Sequence, residues 1–263
     1  MIDAAPLNSD FILGMRVDRC EPDEWESKIM HLATNRSSSY ICVPNVHLCI
    51  ITVDNLEFRQ VINQADLIVS DSAILESART ILTGHKTTDV LKGDKIMWRL
   101  IAAAHKKNVS IGRIGGRTEE SLNALIDEVQ RKFPGINVGF SYCPPFRELT
   151  ADERQSVIAG VNNNNVGLLF LGIGGFKQEN WMSTHKGEIH AAMIGVGAAF
   201  DTISGDVSAS PDWVHRNRLE WLYRLAKEPR RLGKRYLLTS PRFLILIAQE
   251  YIKGRLSSRS TGS

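Results

Sequence analysis

Short uninterrupted apolar runs alternate along this chain with stretches in which apolar residues recur every three or four positions. Tyr40-Ile41-Cys42-Val43, Leu67-Ile68-Val69, Val109-Ser110-Ile111, Gly167-Leu168-Leu169-Phe170-Leu171 and Ala192-Met193-Ile194 are runs of the first kind. Runs this short and this apolar predict strands covered on both faces. Turn-forming residues follow them: Pro44-Asn45, Ser70-Asp71-Ser72, Gly112 to Gly116, Gly172-Ile173-Gly174-Gly175 and Gly195-Val196-Gly197. Thr118 predicts the cap of a helix carrying Leu122, Leu125, Ile126 and Val129 on one face, and Thr150 with Glu153 forms a capping box for a helix reaching Val161. Strands alternating with helices predict an α/β fold, a mainly parallel, Rossmann-like sheet with helices on both faces. After about residue 205 the strand signals stop, and Arg, Trp and Tyr mix at helical spacing. The expected division is an α/β core over 1–205 and a C-terminal helical appendage over 206–263.

Charge sharpens that division. The whole chain carries a net +3, but residues 211–263 hold twelve basic and four acidic side chains, while the rest carries −5. A basic tail on a slightly acidic body points to an anionic partner, whether phospholipid, pyrophosphate or nucleic acid, or to a simple solvated face. The 263 residues, with 43% hydrophobic and 23% charged, suit an ordinary globular core. Cys20, Cys42, Cys49 and Cys143 form no C-x-x-C pair, which predicts reduced thiols in a cytoplasmic protein. No signal peptide is expected, because Asp3 and Asp10 interrupt the N-terminal region. The apolar run Phe243 to Ala248 is far shorter than the roughly 20 residues needed to span a bilayer.

In open α/β sheets ligands bind beyond the carboxyl ends of the strands. That rule selects Asn45, Asp71, Gly115, Gly116, Gly174, Lys177, Gln178, Glu179 and Asp201 as candidate site residues. Asp71 is either a helix cap or a general base for a sugar hydroxyl. Asp66 precedes its strand and is expected at the opposite sheet edge. The turn containing Gly115 and Gly116 is either a plain tight turn or a phosphate cradle at a helix N-terminus, with Arg113 and Arg117 adding charge. Gly172 to Glu179 does not complete the dinucleotide pattern, because Asn180 stands where its last glycine would be. Lys177, Gln178 and Glu179 at a helix start suit a polyhydroxylated ligand, or form an exposed cap. None of the seven histidines has metal-ligand spacing, so neither a metal nor a cofactor is expected. Arg224, Arg231 and Arg235 recur at helical spacing in the tail, where Pro229 predicts a pair of helices rather than one.

Gly172-x-Gly174-x-x-Lys177-Gln178-Glu179-x-Trp181 resembles the V-G-x-G-x-P-K-Q-E-x-W motif of the WecG/TagA/CpsF glycosyltransferases (glycosyltransferase family 26). Gly195-Val196-Gly197-Ala198-Ala199-Phe200-Asp201 followed by Gly205 is similar to their G-V-G-[GA]-x-F-D-x-x-x-G motif. Leu219 to Leu225 followed by Glu228-Pro229-Arg230-Arg231 resembles their L-E-W-[LF]-x-R-L-x-x-E-P-x-R tail. Pro44-Asn45 and Asp71-Ser72 resemble T-P-N and D-G, and Pro144 to Leu149 is similar to members of the GumM type that build exopolysaccharides. The resemblance covers residues 11–243.

The resemblance implies inverting, metal-independent transfer from a UDP-sugar to an undecaprenyl-pyrophosphate-linked sugar. UDP-glucose, UDP-N-acetylmannosamine and UDP-N-acetylmannosaminuronate are the implied donors. It makes Asp71 the general base, gives Asn45 and Gln178 contacts to sugar or diphosphate, and turns Arg224, Arg231 and Arg235 to pyrophosphate or membrane. The implied partners are these two substrates and an anionic membrane surface, not nucleic acid, with the protein peripheral on the inner face of the plasma membrane; self-association is left open. Val43, Ser72, Phe176 and Ala209 depart from the family pattern, and no Arg stands just before Gly93-Asp94-Lys95-Ile96-Met97. These departures carry the rival expectation of a weak or inactive homologue that only binds nucleotide-sugar or lipid-linked sugar.

Overall fold

The computed structural model describes residues 8–86, 90, 92–205, 207, 214, 220–227 and 229–260; the side chains of 220, 221, 224, 230–232, 234–237 and 256–260 are outside this description. An antiparallel hairpin, β1 (Ser9–Ile12) and β2 (Met15–Asp18), precedes α1 (Pro22–Thr34). Six further strands form the main sheet: β3 (Ser39–Cys42), β4 (Leu67–Ile68), β5 (Ile111–Gly115), β6 (Val138–Tyr142), β7 (Leu168–Gly172) and β8 (Ala192–Gly195). Their order is β4-β3-β8-β7-β5-β6, and every pairing is parallel.

Between the strands run α2 (Val46–Asp54), α3 (Leu56–Asn63), α4 (Ala73–Thr83), α5 (Gly93–Lys106), α6 (Glu119–Lys132), α7 (Ala151–Asn163), α8 (Lys177–Thr184) and α9 (Ala199–Ile203). α1, α5, α6 and α9 cover one face, where Trp25, Met97, Leu100, Leu125 and Phe200 meet Phe170 and Ile194 of the sheet. α2, α3, α4, α7 and α8 cover the other, where Phe58, Ile62, Leu75 and Met182 meet Leu169, Leu171 and Met193. Central strands buried on both sides explain why their sequences are continuous apolar runs and not alternating ones.

Local chemistry sets the helix starts. Thr118 Oγ1 accepts the Ser121 N–H at 3.2 Å, and Thr150 and Glu153 make the expected reciprocal box. Strand β5 runs further than its apolar run suggests, through Gly112, Arg113 and Ile114 to Gly115, so only the last part of the glycine-rich segment is a turn. Strand β6 and the hairpin were not legible. β6 contains Gly139 and Ser141 on a half-exposed edge, and the hairpin turns on Leu13-Gly14, both at positive φ, without the usual Asn-Gly signal.

The hairpin clamps α4. Arg79, buried on α4, pairs with Glu76 at 2.5 Å and donates to the Asp18 carbonyl at 3.3 Å. Asp18 in turn accepts the Ile68 N–H of β4 at 2.8 Å. Asp66 sits at the amino end of β4, accepting from Tyr40 N and pairing with Lys186, away from the carboxyl-end turns.

The C-terminal region is helical where described: α10 (Glu220–Lys227) and α11 (Pro229–Ser260), with Pro229 opening the second helix. α11 lies against α2 and α4. Phe243 and Ile247 enter the body's core, Arg242 grips Asp54 with two hydrogen bonds of 2.6 and 2.5 Å, and Glu250 accepts the Leu13 N–H. The run Phe243 to Ile247 therefore splits by helical period: Phe243 and Ile247 face in, while Leu244 and Ile245 are exposed. No helix among the described residues is long and apolar enough to cross a membrane. Phe243→Ala should cost about 3–5 kcal/mol, the usual range for deleting a buried phenyl ring. Chemical denaturation of the full chain measures this, and an unchanged midpoint would mean that α11 is not docked.

Candidate functional site

The turns selected from sequence converge at the carboxyl edge of the sheet. β5 leads outward to β6 and β7 leads inward to β8, so their chain directions diverge between adjacent strands, the usual place for a ligand crevice. At this point Gly115 pairs with Gly172 across the two strands. A Cβ on Gly115 would lie 2.7 Å from the carbonyl carbon and oxygen of Gly172, and Gly115 has φ +143°. A side chain is excluded on both grounds. Gly116 follows at φ +104°, just before the N-terminus of α6.

Asp71 lies in the turn between β4 and α4. Ser72, not Asp71, is the N-cap of α4, its hydroxyl accepting the Leu75 N–H at 3.4 Å. The Asp71 carboxylate is turned toward the start of α5: a Cβ on Gly93 would sit 3.6 Å from Asp71 Oδ2 and 3.4 Å from the Val196 carbonyl oxygen. Gly93 thus touches both Asp71 and the turn after β8. Within that turn, a Cβ on Gly195 would lie 2.6 Å from Gln178 Nε2, and one on Gly197 would lie 4.0 Å from both amide heavy atoms. Gln178 therefore lies directly against the segment Gly195 to Gly197, and Asp71 lies near it by way of Gly93.

Gln178 and Glu179 are both buried at the start of α8, and Gln178 Nε2 donates to Glu179 Oε1 at 2.8 Å. Gln178 Oε1 and Glu179 Oε2 have no hydrogen-bond partner. Burial pushes the Glu179 carboxyl above its ordinary range, opposed by the hydrogen bond from Gln178. Cys42 of β3 lies nearby; its thiol is pushed well up, by burial first and by Glu179 second. Lys177 is exposed. Asn45 caps α2, accepting from His47 N at 3.0 Å and Leu48 N at 3.2 Å. Leu48 in turn touches the Gly174-Gly175 turn, since a Cβ on Gly175 would lie 3.5 Å from its Cδ2. Asp201, on α9, accepts from Arg117 at 2.9 Å, joining the turn after β8 to the start of α6.

Residues 11–257 match the Glycosyl transferase WecG/TagA/CpsF family. The chain belongs to this family. Among curated relatives, it is 24% identical over 241 residues to an N-acetylglucosaminyldiphosphoundecaprenol N-acetyl-beta-D-mannosaminyltransferase of Staphylococcus aureus (strain MW2), covering 90% of this chain and 91% of the relative. A protein of the same name from Bacillus subtilis (strain 168) is 22% identical over 223 residues, covering 84% and 83%.

This family member solves several local problems in its own way. Ser72 replaces a glycine and supplies the cap of α4. Phe176 replaces a proline and takes φ +71°, ψ −51°, a conformation that proline's ring forbids. Its ring packs on Phe58, with centroids 4.8 Å apart, which holds the strained turn at the mouth of the site. Ala209 lies outside the described residues, as do the side chains of Arg224, Arg231 and Arg235 on α10 and α11.

Two charged residues near the site were misjudged or missed from sequence. Lys92, the N-cap residue of α5 directly before Gly93, is buried; only its place beside the Asp71 turn marks it. Arg113 does not add charge to the glycine turn. It is fully buried on the face covered by α6, where Nη2 donates to Ser141 Oγ at 3.1 Å while Nε and Nη1 find no partner. Burial alone drags its pKa down to about 10. A buried cation without a carboxylate costs stability, and an apolar residue of similar volume avoids that cost. Arg113→Met should therefore raise the melting temperature by a few degrees and leave the affinity for UDP unchanged. A lower melting temperature in calorimetry would mean that the guanidinium is needed for folding.

Proposed function

We propose that this protein is an inverting glycosyltransferase that moves a sugar from a UDP-sugar to a saccharide carried on undecaprenyl pyrophosphate, in the assembly of a bacterial surface polysaccharide or exopolysaccharide. The observation that carries the reading is the convergence of Asp71 and Gln178 on the Gly195–Gly197 turn, beside the glycine crevice between β5 and β7. Names of relatives add the chemistry: both are named for moving an N-acetylmannosaminyl group onto N-acetylglucosaminyl diphosphoundecaprenol. UDP-N-acetylmannosamine is therefore the first donor to try.

In this mechanism the Asp71 carboxylate takes the proton from an acceptor hydroxyl. The freed oxygen attacks the anomeric carbon of the donor, the bond from that carbon to the β-phosphate oxygen breaks, and UDP leaves with the electron pair. Backbone N–H groups at the Gly115–Gly116 turn and the start of α6 would meet the diphosphate, with no cation required. Asn45, Gly174 and Lys177 line the adjoining turns, and Asp201 holds Arg117 toward the same edge. Arg224, Arg231 and Arg235 would serve the lipid pyrophosphate or the leaflet.

Membrane contact, peripheral and at the cytoplasmic leaflet, is proposed for α11. Leu238, Leu244, Ile245 and Ile252 are exposed along it, and Lys253 follows at its far end. Arg242 is already engaged by Asp54, so it contributes little net charge to lipid. Deleting the whole tail would uncover the core around Phe243, so surface substitution is the cleaner test.

Release of UDP from a panel of UDP-sugars, with a lipid-pyrophosphate-linked N-acetylglucosamine acceptor, tests the reaction. Asp71→Asn should lower turnover by about 100-fold or more, the scale of general-base loss, with an unchanged melting temperature. Full turnover in that variant would remove Asp71 from the role, and absence of turnover in the wild type with every donor would favour a binding homologue. For the membrane, the protein should co-sediment with anionic vesicles and be released by high salt, since each nearby basic residue contributes about 1 kcal/mol at an anionic surface. Leu244→Asp with Ile245→Asp should abolish co-sedimentation; equal binding by that variant would place the contact elsewhere.

A further inference from the structure

We propose that Glu179 is a positioning residue: as a buried carboxylate it fixes the Gln178 amide so that Oε1, and not the NH2 group, faces the donor sugar, selecting a sugar hydroxyl or amide N–H as the contact. This inference rests on the glycosyl-transfer reading and assigns Glu179 an indirect part in it, without contact to substrate.

The two ends of a glutamine amide are nearly the same size but opposite in hydrogen-bonding character. Which end points outward is decided by what holds the other. Here the amide lies against the backbone of Gly195, in room that only a residue without a side chain leaves. Its Nε2 is held at 2.8 Å by Glu179 Oε1. The carboxyl oxygen accepts in this pair, so it is the NH2 end that faces Glu179. Gln178 Oε1 is thereby left over as an acceptor, and it has no partner in the protein.

An unsatisfied carbonyl in a buried position costs free energy, and a ligand donor would recover it on binding. The donor sugar is the natural source of that hydrogen bond. Gln178 lies on the β8 side of the crevice, next to the glycine turns proposed for the diphosphate, and the sugar is the group joined to that diphosphate. A hydroxyl or an acetamido N–H can donate to Oε1; a carbonyl or an ether oxygen cannot. Cys42 of β3 is a titratable group beside the carboxylate, and its thiol is a weak donor.

Glu179→Gln tests the idea with little change of shape. A neutral amide at 179 can donate or accept, so Gln178 is no longer held to one orientation. Equilibrium binding of UDP-N-acetylmannosamine and of UDP alone to the full chain gives the decisive comparison. The variant should bind the UDP-sugar about tenfold more weakly, the equivalent of one misplaced hydrogen bond, while its affinity for UDP stays within about twofold. In turnover, KM for the donor should rise about tenfold with kcat within about threefold. Gly195→Ala, which pushes on the amide without touching the carboxylate, should show the same selective loss, and it serves as the second variant if Glu179→Gln fails to fold. Equal loss for UDP and UDP-sugar, or no loss for either, would overturn the assignment while the transfer reading stands. A wild type that binds neither ligand would overturn both.

Discussion

No side chain fits between Gly115 and the backbone of Gly172, and the site is arranged around that contact. Two neighbouring strands of a parallel sheet end on this glycine pair, and the chain leaves them in opposite directions. Phe200 closes the same place from one side, lying 2.7 Å from where a Cβ of Gly172 would be. The glycines of the motifs thus have separate physical duties. Gly115 permits the close approach, Gly172 accepts the Phe200 ring, and Gly195 leaves room for the Gln178 amide.

The body around this edge is held from both ends of the chain. The N-terminal hairpin clamps α4 through Arg79, Glu76 and Asp18, and α11 crosses α2 and α4 with Phe243 and Ile247 in the core. α2 and α4 are the helices whose N-terminal turns present Asn45 and Asp71. The tail is therefore part of what holds those turns, whatever else it does at a lipid surface. This is the reason that a family tail and a family core form one folding problem in this chain, although their charge and composition differ sharply.

Departures from the family pattern have local explanations. Serine after Asp71 gains a helix cap, and phenylalanine before Lys177 accepts an unfavourable φ in return for stacking on Phe58. Neither change removes the constellation of Asp71, Gln178 and the glycine turns. Arg113, by contrast, is a charged residue in the sheet interior with one hydrogen bond and no carboxylate, and nothing in the structure explains its selection.

Much of this was legible in the sequence, and the limits follow from physics. Strands buried on both faces must be apolar throughout, so β3, β4, β7 and β8 announce themselves, and their turns must carry the ligand chemistry. Thr118 and Thr150 cap helices by bonds within four residues, which needs no knowledge of the fold. Three motifs spread over the chain sufficed to suggest the family. Tertiary structure alone decided the rest. The strands of the β1–β2 hairpin are only four residues long and bury the polar Asp10 and Asp18, while β6 is half-exposed and carries Gly139 and Ser141, so no apolar run betrays them. A buried Arg113 and an exposed Arg look the same in a sequence. The inward turn of Phe243 and Ile247, the shared neighbourhood of Asp71 and Gln178, and the pairing of Gln178 with Glu179 depend on segments far apart in the chain meeting in space, and local pattern carries no record of that.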